Sequence, residues 1–344
     1  MRYETQWSAA IVRSVKNPTP EVRQFEIVPE GGAQPYLPGS HIQVSVMIAG
    51  AGGELADARC YSLVGDRPVD GAYRVAVRCQ PESRGGSRYM WRLEAGARIC
   101  VSNPQNLFAL SFGRPQYLLL AGGIGITPMV GMAFALQRAG ADFRLLYLGR
   151  NRAGMPFVDE LERQLGDKLC LFQGEEGKRA DLAREIAALH PQGELYMCGP
   201  LRLMDAVRRE WKQAGRSQAD LRFETFGSSG RFAPEPFKVK VSDQDIEVLV
   251  ADDKSMLQAL REAGVDIMFD CLRGECGLCV VEVTHTEGEL DHRDVFLSEA
   301  EKYSGRKLCT CVSRAVQGCV TIDTGYRNVE IHAGGPGNAL PVFS

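Results

Sequence analysis

Three cysteines within nine residues, Cys271, Cys276 and Cys279 in the segment CLRGECGLC, with Cys311 further on, give the pattern C-x4-C-x2-C…C. This is the ligand spacing of a plant-type 2Fe-2S cluster. It demands a tight loop that turns three thiolates inward, and Gly274 and Gly277 supply backbone freedom for those turns. Structural zinc sites favour paired C-x2-C spacings instead, and reduced core cysteines are seldom this dense. Iron fits the pattern better, and the chain is expected to handle electrons singly.

The rest of the chain is long enough for further modules: 344 residues suggest two or three domains. With 40 basic against 43 acidic residues there is no strong field, so neither nucleic acid nor an anionic membrane is indicated as a partner. No apolar run reaches the roughly 20 residues of a spanning helix, and the N-terminal MRYETQWSAA lacks a signal-peptide core. Eleven cysteines, seven outside the four named, fit a disulfide framework poorly and a reducing, cytoplasmic compartment well.

Residues 1–112 carry short alternating stretches such as HIQVSV from His41 and YRVAVR from Tyr73, divided by Gly and Pro turns, and predict an antiparallel β-barrel. From 113 to 226 the texture becomes apolar strand then helix: YLLLA from Tyr117 precedes a helix near Pro128, and FRLLYL from Phe143 precedes VDELERQL from Val158. That alternation predicts a parallel sheet with crossover helices. Residues 227–236, GSSGRFAPEP, read as a linker, 237–325 as the cluster domain, and 326–344 as an extension without periodicity. In the cluster domain, Ser255 with Gln258 three residues later predicts a capped helix from Met256 to Ala263, closed by Gly264.

Two strand ends of the parallel sheet carry ligand-binding signals. GGIGITP, with Gly122, Gly123 and Gly125, follows a buried strand and leads into a helix, so its amides point at an anion. YMCGP, with Cys198, Gly199 and Pro200, repeats the strand-to-helix turn, and such ends converge on one crevice. Together they predict a pyridine-dinucleotide site. Asp142 precedes its strand and so reads as a solvated turn residue instead of a ribose ligand. The five histidines form neither a Cys-x-His pair nor a two-His-one-carboxylate set, so oxygen activation is not evident in this chain. His292 reads as a loop hydrogen-bonding residue.

The ordered set RCYSL from Arg59, RGGS from Arg84, GGIGITP, Cys198-Gly-Pro, FETF from Phe223, DHRD from Asp291 and CVSRA from Cys311 spans about residues 7–325. It closely resembles the phthalate dioxygenase reductase family, ferredoxin-NADP reductase-like proteins with a plant-type ferredoxin domain fused at the C-terminus. The resemblance implies an FMN-binding barrel, an NAD-binding α/β domain and a β-grasp ferredoxin domain. Arg59, Tyr61 and Ser62 would line the flavin, with Ser62 near N5. Arg84, Gly85, Gly86 and Ser87 would hold its phosphate, and the arginine before Gly-Gly looks like the FMN-using members and not those that bind FAD. Thr127 would lie against the flavin and Phe226 over the ring, while Cys198 and Glu224 match positions beside the nicotinamide. KLCTCV also offers Cys309 as a cluster ligand, on the face of Cys311 if the strand continues; the family pattern selects Cys311.

Physical chemistry agrees with these roles. A phosphate needs amides and a guanidinium, and a flavin ring needs a flat apolar wall with a polar edge. Singly, the residues have blander readings: Tyr61 as barrel core, Cys198 as a small buried hydrophobe, Glu224 as a solvated acid, Phe226 as a linker anchor. Arg150 and Arg152 either meet a 2'-phosphate or form a solvated basic turn, and the resemblance favours NADH. The expected function is the NADH-dependent reductase of a two-component Rieske-type oxygenase, the terminal oxygenase docking on the loop rim at Leu272, Arg273 and Leu278. The alternatives are a flavin reductase acting directly on a small quinone or ferric acceptor, and a zinc-stabilised scaffold.

Overall fold

Alternating apolar residues in the first hundred positions pair into an antiparallel sheet whose inward faces meet. The computed structural model describes residues 5–50, 53–79, 85–226, 230 and 232–325. Arg84 and residues 326–344 lie outside them, as does part of the expected linker. The first sheet contains β1 (Trp7–Thr19), β2 (Val22–Pro29), β3 (His41–Gly50), β4 (Gly53–Ser62), β5 (Tyr73–Arg78) and β6 (Arg98–Ser102), in the order β4-β3-β6-β1-β2-β5. A bridge between Leu63, just past β4, and Val75 of β5 curls the two edges together. Val12, Phe25, Ile27, Ile42, Val44 and Val75 fill the interior with no exposed surface. A short helix absent from the sequence reading, α1 (Gly86–Arg92), begins at Gly85 with φ 93°. It places the amides of Gly86 and Ser87 in its first turn.

The second sheet is wholly parallel: β7 (Tyr117–Gly122), β8 (Phe143–Gly149), β9 (Leu169–Gln173), β10 (Glu194–Cys198) and β11 (Leu221–Glu224), in the order β11-β10-β7-β8-β9. Helices α2 (Ile126–Arg138), α3 (Val158–Leu165), α4 (Leu182–Ala188) and α5 (Leu201–Gln213) make the crossovers. Every residue of β7 is buried, as expected for a central strand covered on both faces. The chain leaves β7 towards β8 on one side and returns to β10 on the other, so the switch point lies between the ends of β7 and β10.

Barrel and parallel sheet share a core in which Val64, Ala76 and Phe108 pack with Met129, Val130 and Tyr196. Where α2 meets the barrel, a Cβ on Gly131 would lie 2.2 Å from the Gly65 carbonyl oxygen, so only glycine fits.

The third sheet is mixed: β12 (Phe237–Val241), β13 (Ile246–Val250), β14 (Val280–Asp291), β15 (Lys307–Cys309) and β16 (Arg314–Asp323), ordered β13-β12-β16-β14-β15, with β12 and β16 parallel. Helix α6 (Met256–Glu262) packs its buried Met256, Leu257 and Leu260 into this sheet's core. Ser255 caps it by accepting from the Gln258 amide at 3.1 Å, but the Gln258 side chain turns to Glu262 and the reciprocal bond is not made. A complete capping box occurs instead at Ser298 and Glu301 of α7 (Glu299–Ser304). Val295, ahead of α7, packs into the parallel sheet's second core with Leu118, Leu146 and Met197. Among the described residues no helix is long and apolar enough to cross a membrane.

Candidate functional site

The cysteine loop connects α6 to β14, and its turns need the glycines. Gly274 has φ 72° and a Cβ there would meet Val312 at 2.7 Å; Gly277 has φ 76° and its Cβ would meet the Phe296 ring at 2.3 Å. The amides of Arg273, Glu275 and Cys276 all point at Cys271 Sγ, each at 3.4 Å. Thiol contacts join Cys276 to Cys271, Cys271 to Cys311 and Cys311 to Cys279. Cys271 is pushed down to about 4, first by the Cys311 thiol and then, against burial, by those three amides. Cys279 is pushed down to about 3 by the thiols of Cys309 and Cys311. Four sulfurs linked in a chain of contacts, two of them, Cys271 and Cys279, held towards thiolate while Cys276 and Cys311 are raised, are a donor set that fits a 2Fe-2S cluster.

The fourth position differs from expectation in one respect. β15 ends at Cys309, and Cys311 lies in the following turn instead of continuing the strand. The two therefore do not share a strand face. Cys311 touches two thiols of the loop, whereas Cys309 pairs across β15 with Val280 and touches Cys279 alone.

At the switch point of the parallel sheet the glycines allow two turns to touch. A Cβ on Gly125 would lie 2.2 Å from the Cys198 carbonyl oxygen, and one on Gly122 would lie 2.7 Å from Pro200. A Cβ on Gly199 would lie 3.1 Å from the Gly122 backbone, while Gly123, with φ 56°, has open space where its side chain would stand. That opening admits a ligand to the backbone. Thr127 is buried in the first turn of α2, and its hydroxyl donates to the Ile124 carbonyl at 3.1 Å. Arg152 is engaged by Asp159 at 2.6 Å and Glu162 at 2.7 Å; Arg150 is exposed.

On the barrel, Arg59 pairs with Asp57 and lies against Gly86, where any Cβ would meet its side chain at 2.7 Å. Tyr61 is half-buried, and burial raises its hydroxyl pKa. Ser62 ends β4, and its hydroxyl donates to Glu224 Oε2 at 3.3 Å. Phe226, just past β11, is partly exposed.

Glu224 is where the three sheets meet. It is 1% exposed, which rules out the solvated-acid reading. Its other carboxylate oxygen is bonded to Arg273 Nη1 from the cysteine loop, and Arg273 Nη2 lies 3.3 Å from Glu275. Thr225 completes the clasp: its amide donates to Glu275 Oε1 at 2.7 Å, and its hydroxyl donates to the Arg273 carbonyl at 3.1 Å. Burial raises Glu224 despite Arg273, and likewise lifts Glu275 to about 7. Cys198, wholly buried, is raised by burial and then by Glu224. Arg273, expected at the loop rim, is 8% exposed and faces inward; Leu272 and Leu278 stay on the rim at 45% and 46%. The Arg273–Glu224 pairing was missed in the sequence. The two lie 49 residues apart, one at the end of β11 and the other in the cysteine loop, and no local spacing signals it.

His41, opposite Ser62 across the β3–β4 pair, joins the same junction. Burial and then Arg273 hold it down to about 3. An imidazole kept neutral in the fold favours folding fully above its unfolded pKa near 6.5 and loses that contribution as pH falls towards 3. Between pH 6.5 and 5 the native protein is expected to lose roughly 1.5 kcal/mol more stability than His41→Gln. Denaturant titrations at the two pH values check this, and equal losses would refute it.

Barrel, nucleotide-type sheet and cysteine loop together define a class: modular oxidoreductases that end in a ferredoxin. The family model described as a 2Fe-2S iron-sulfur cluster binding domain matches residues 239–316. Over 316 residues the chain is 34% identical to the heme-dependent oxidative N-demethylase beta subunit of Ectopseudomonas mendocina, covering 91% of this chain and 97% of that one. It is 33% identical over 315 residues to phthalate dioxygenase reductase of Burkholderia cepacia, covering 88% and 93%. A solved phthalate dioxygenase reductase, described as a modular structure for electron transfer from pyridine nucleotides to [2Fe-2S], superimposes with a TM-score of 0.73 at 31% identity, over 92% of this chain and 98% of that one. The chain belongs to the phthalate dioxygenase reductase family.

Proposed function

We propose that this chain is the NADH-dependent reductase component of a two-component oxygenase, with FMN against the barrel and a 2Fe-2S cluster held by Cys271, Cys276, Cys279 and Cys311. The observation that carries this reading is the junction at which Ser62 of the barrel, Glu224 of the parallel sheet and Arg273 of the cysteine loop form one bonded chain. A nicotinamide gives two electrons as a hydride, a plant-type cluster accepts one, and a flavin between them does both.

The chain's residues supply position and electrostatics. The amides of Gly86 and Ser87 at the start of α1, with Arg59 beside them, suit a flavin phosphate. Arg84 belongs to the same set by resemblance. Tyr61 and Phe226 offer apolar walls, and Thr127 approaches from α2. The open backbone at Gly123 and the Cys198-Gly199-Pro200 turn frame the dinucleotide crevice, which brings the nicotinamide to Cys198 and Glu224. Ser62 and Glu224 keep a fixed hydrogen bond at the edge where the hydride is to be delivered.

The partner is the terminal oxygenase component, of Rieske type by family resemblance, reached across the rim at Leu272 and Leu278. None of the cysteines is paired in a disulfide, which supports a reducing, cytoplasmic setting. Extraction of the purified protein is expected to release FMN and about two irons per chain. FAD, or zinc in place of iron, would overturn the assignment. NADH is expected to exceed NADPH at least about tenfold in kcat/KM, because Arg152 is already neutralised by Asp159 and Glu162 and Arg150 alone remains to meet a 2'-phosphate. Steady-state rates with both nucleotides decide it. A preference for NADPH would assign that role to Arg150.

A further inference from the structure

Arg273 is tied to both halves of the electron path. Its backbone amide donates to Cys271 Sγ at 3.4 Å, while its guanidinium grips Glu224, which itself accepts from Ser62. We propose that Arg273 is the positioning residue that seats the cysteine loop on the Ser62–Glu224 edge, so that the loop is held in fixed register against the site the other two sheets form. This inference rests on the functional reading above and deepens it.

Three features distinguish this arrangement from an incidental ion pair. The pair is buried on both sides, and a buried pair pays its desolvation only where geometry is held. Two carboxylates, Glu224 from β11 and Glu275 from the loop, flank one guanidinium: Nη1 is hydrogen-bonded to Glu224, and Nη2 lies 3.3 Å from Glu275 as an ion pair. Thr225 adds two bonds across the same seam, through its amide to Glu275 and its hydroxyl to the Arg273 carbonyl. The seam therefore cannot slide without breaking bonds to an unhydrated carboxylate. Arg273 Nε, Arg273 Nη2 and His41 Nδ1 remain buried without a hydrogen-bond partner, three polar atoms left at the junction for the groups that bind there.

The test uses the intact holoprotein, with FMN and iron content measured first. In Arg273→Gln, hydrogen exchange at the Thr225 amide is expected to rise at least tenfold. The ratio of the cluster-reduction rate to the NADH-driven flavin-bleaching rate, followed by stopped flow, is expected to fall at least tenfold. Arg273→Gln combined with Glu224→Gln removes the stranded charge; it should restore thermal stability without restoring that ratio. Arg273→Lys keeps the charge but loses the guanidinium fork, and should retain the iron content while leaving exchange at Thr225 raised. If Arg273→Gln does not accumulate, the double variant and Arg273→Lys carry the test. Unchanged exchange at Thr225 together with an unchanged rate ratio in any of the three iron- and FMN-replete variants would overturn the proposal. Missing FMN or iron in the parent protein would instead refute the functional reading.

Discussion

Cys311→Ser is expected to strip the protein of its native cluster, leaving no more than about a tenth of the wild-type iron, while Cys309→Ser keeps the iron and the reduced-state EPR signal. Cys311 sits in a turn, in contact with Cys271 and Cys279, where a serine hydroxyl would be a poor substitute for the sulfur donor. Cys309 is fully buried in β15 beside Leu308 and ladders with Val280, so its sulfur serves chiefly as core. It contacts Cys279, but on the proposed assignment it stands outside the donor set. Serine there costs one buried packing contact, about 1–2 kcal/mol. Iron analysis and EPR separate the outcomes. Loss of iron from Cys309→Ser with retention in Cys311→Ser would exchange the roles of the two residues.

Legibility in this sequence followed the range of the interactions. The cysteine loop could be read because its thiols and glycines lie within nine residues, and the turn at Gly122–Gly125 because strand, turn and helix are consecutive. Strand β5 appeared at Tyr73–Arg78 as its alternation indicated. Helix α1 was hidden because RGGS reads as a loop, and a glycine at φ 93° opens a helix only when the barrel behind it accepts Met90. The end of β15 at Cys309 was hidden for a related reason: the next residues turn to bring Cys311 to the loop, and strand periodicity says nothing of that demand. Arg273, expected on the rim, misled most, and its pairing with Glu224 gave no local signal. A charged residue in a polar stretch reads as solvated, and only the meeting of three sheets shows two such residues neutralising one another out of water.

Cutting the chain within residues 227–236 is expected to leave an N-terminal fragment that binds FMN and oxidises NADH with ferricyanide, yet supports the terminal oxygenase at least about a hundredfold more slowly than the intact chain. The residues assigned to flavin and nicotinamide, from Arg59 to Phe226, precede the cut, whereas all four cluster cysteines follow it. The fragment loses Val295 from the parallel sheet's core, worth roughly 1.5–3 kcal/mol of apolar burial. It also loses the clasp on Thr225. Glu224, however, regains water when the third sheet leaves, so its carboxylate is hydrated and not stranded. Removing the whole ferredoxin should therefore disturb the hydride site less than Arg273→Gln, which leaves Glu224 buried and unpaired. Ferricyanide and oxygenase-coupled rates, measured on the fragment and the intact chain, check both parts. A fragment ending near Ser228 that reduced the oxygenase as fast as the intact chain would make the flavin the exit point for electrons, and the role assigned to the cysteine loop would fall.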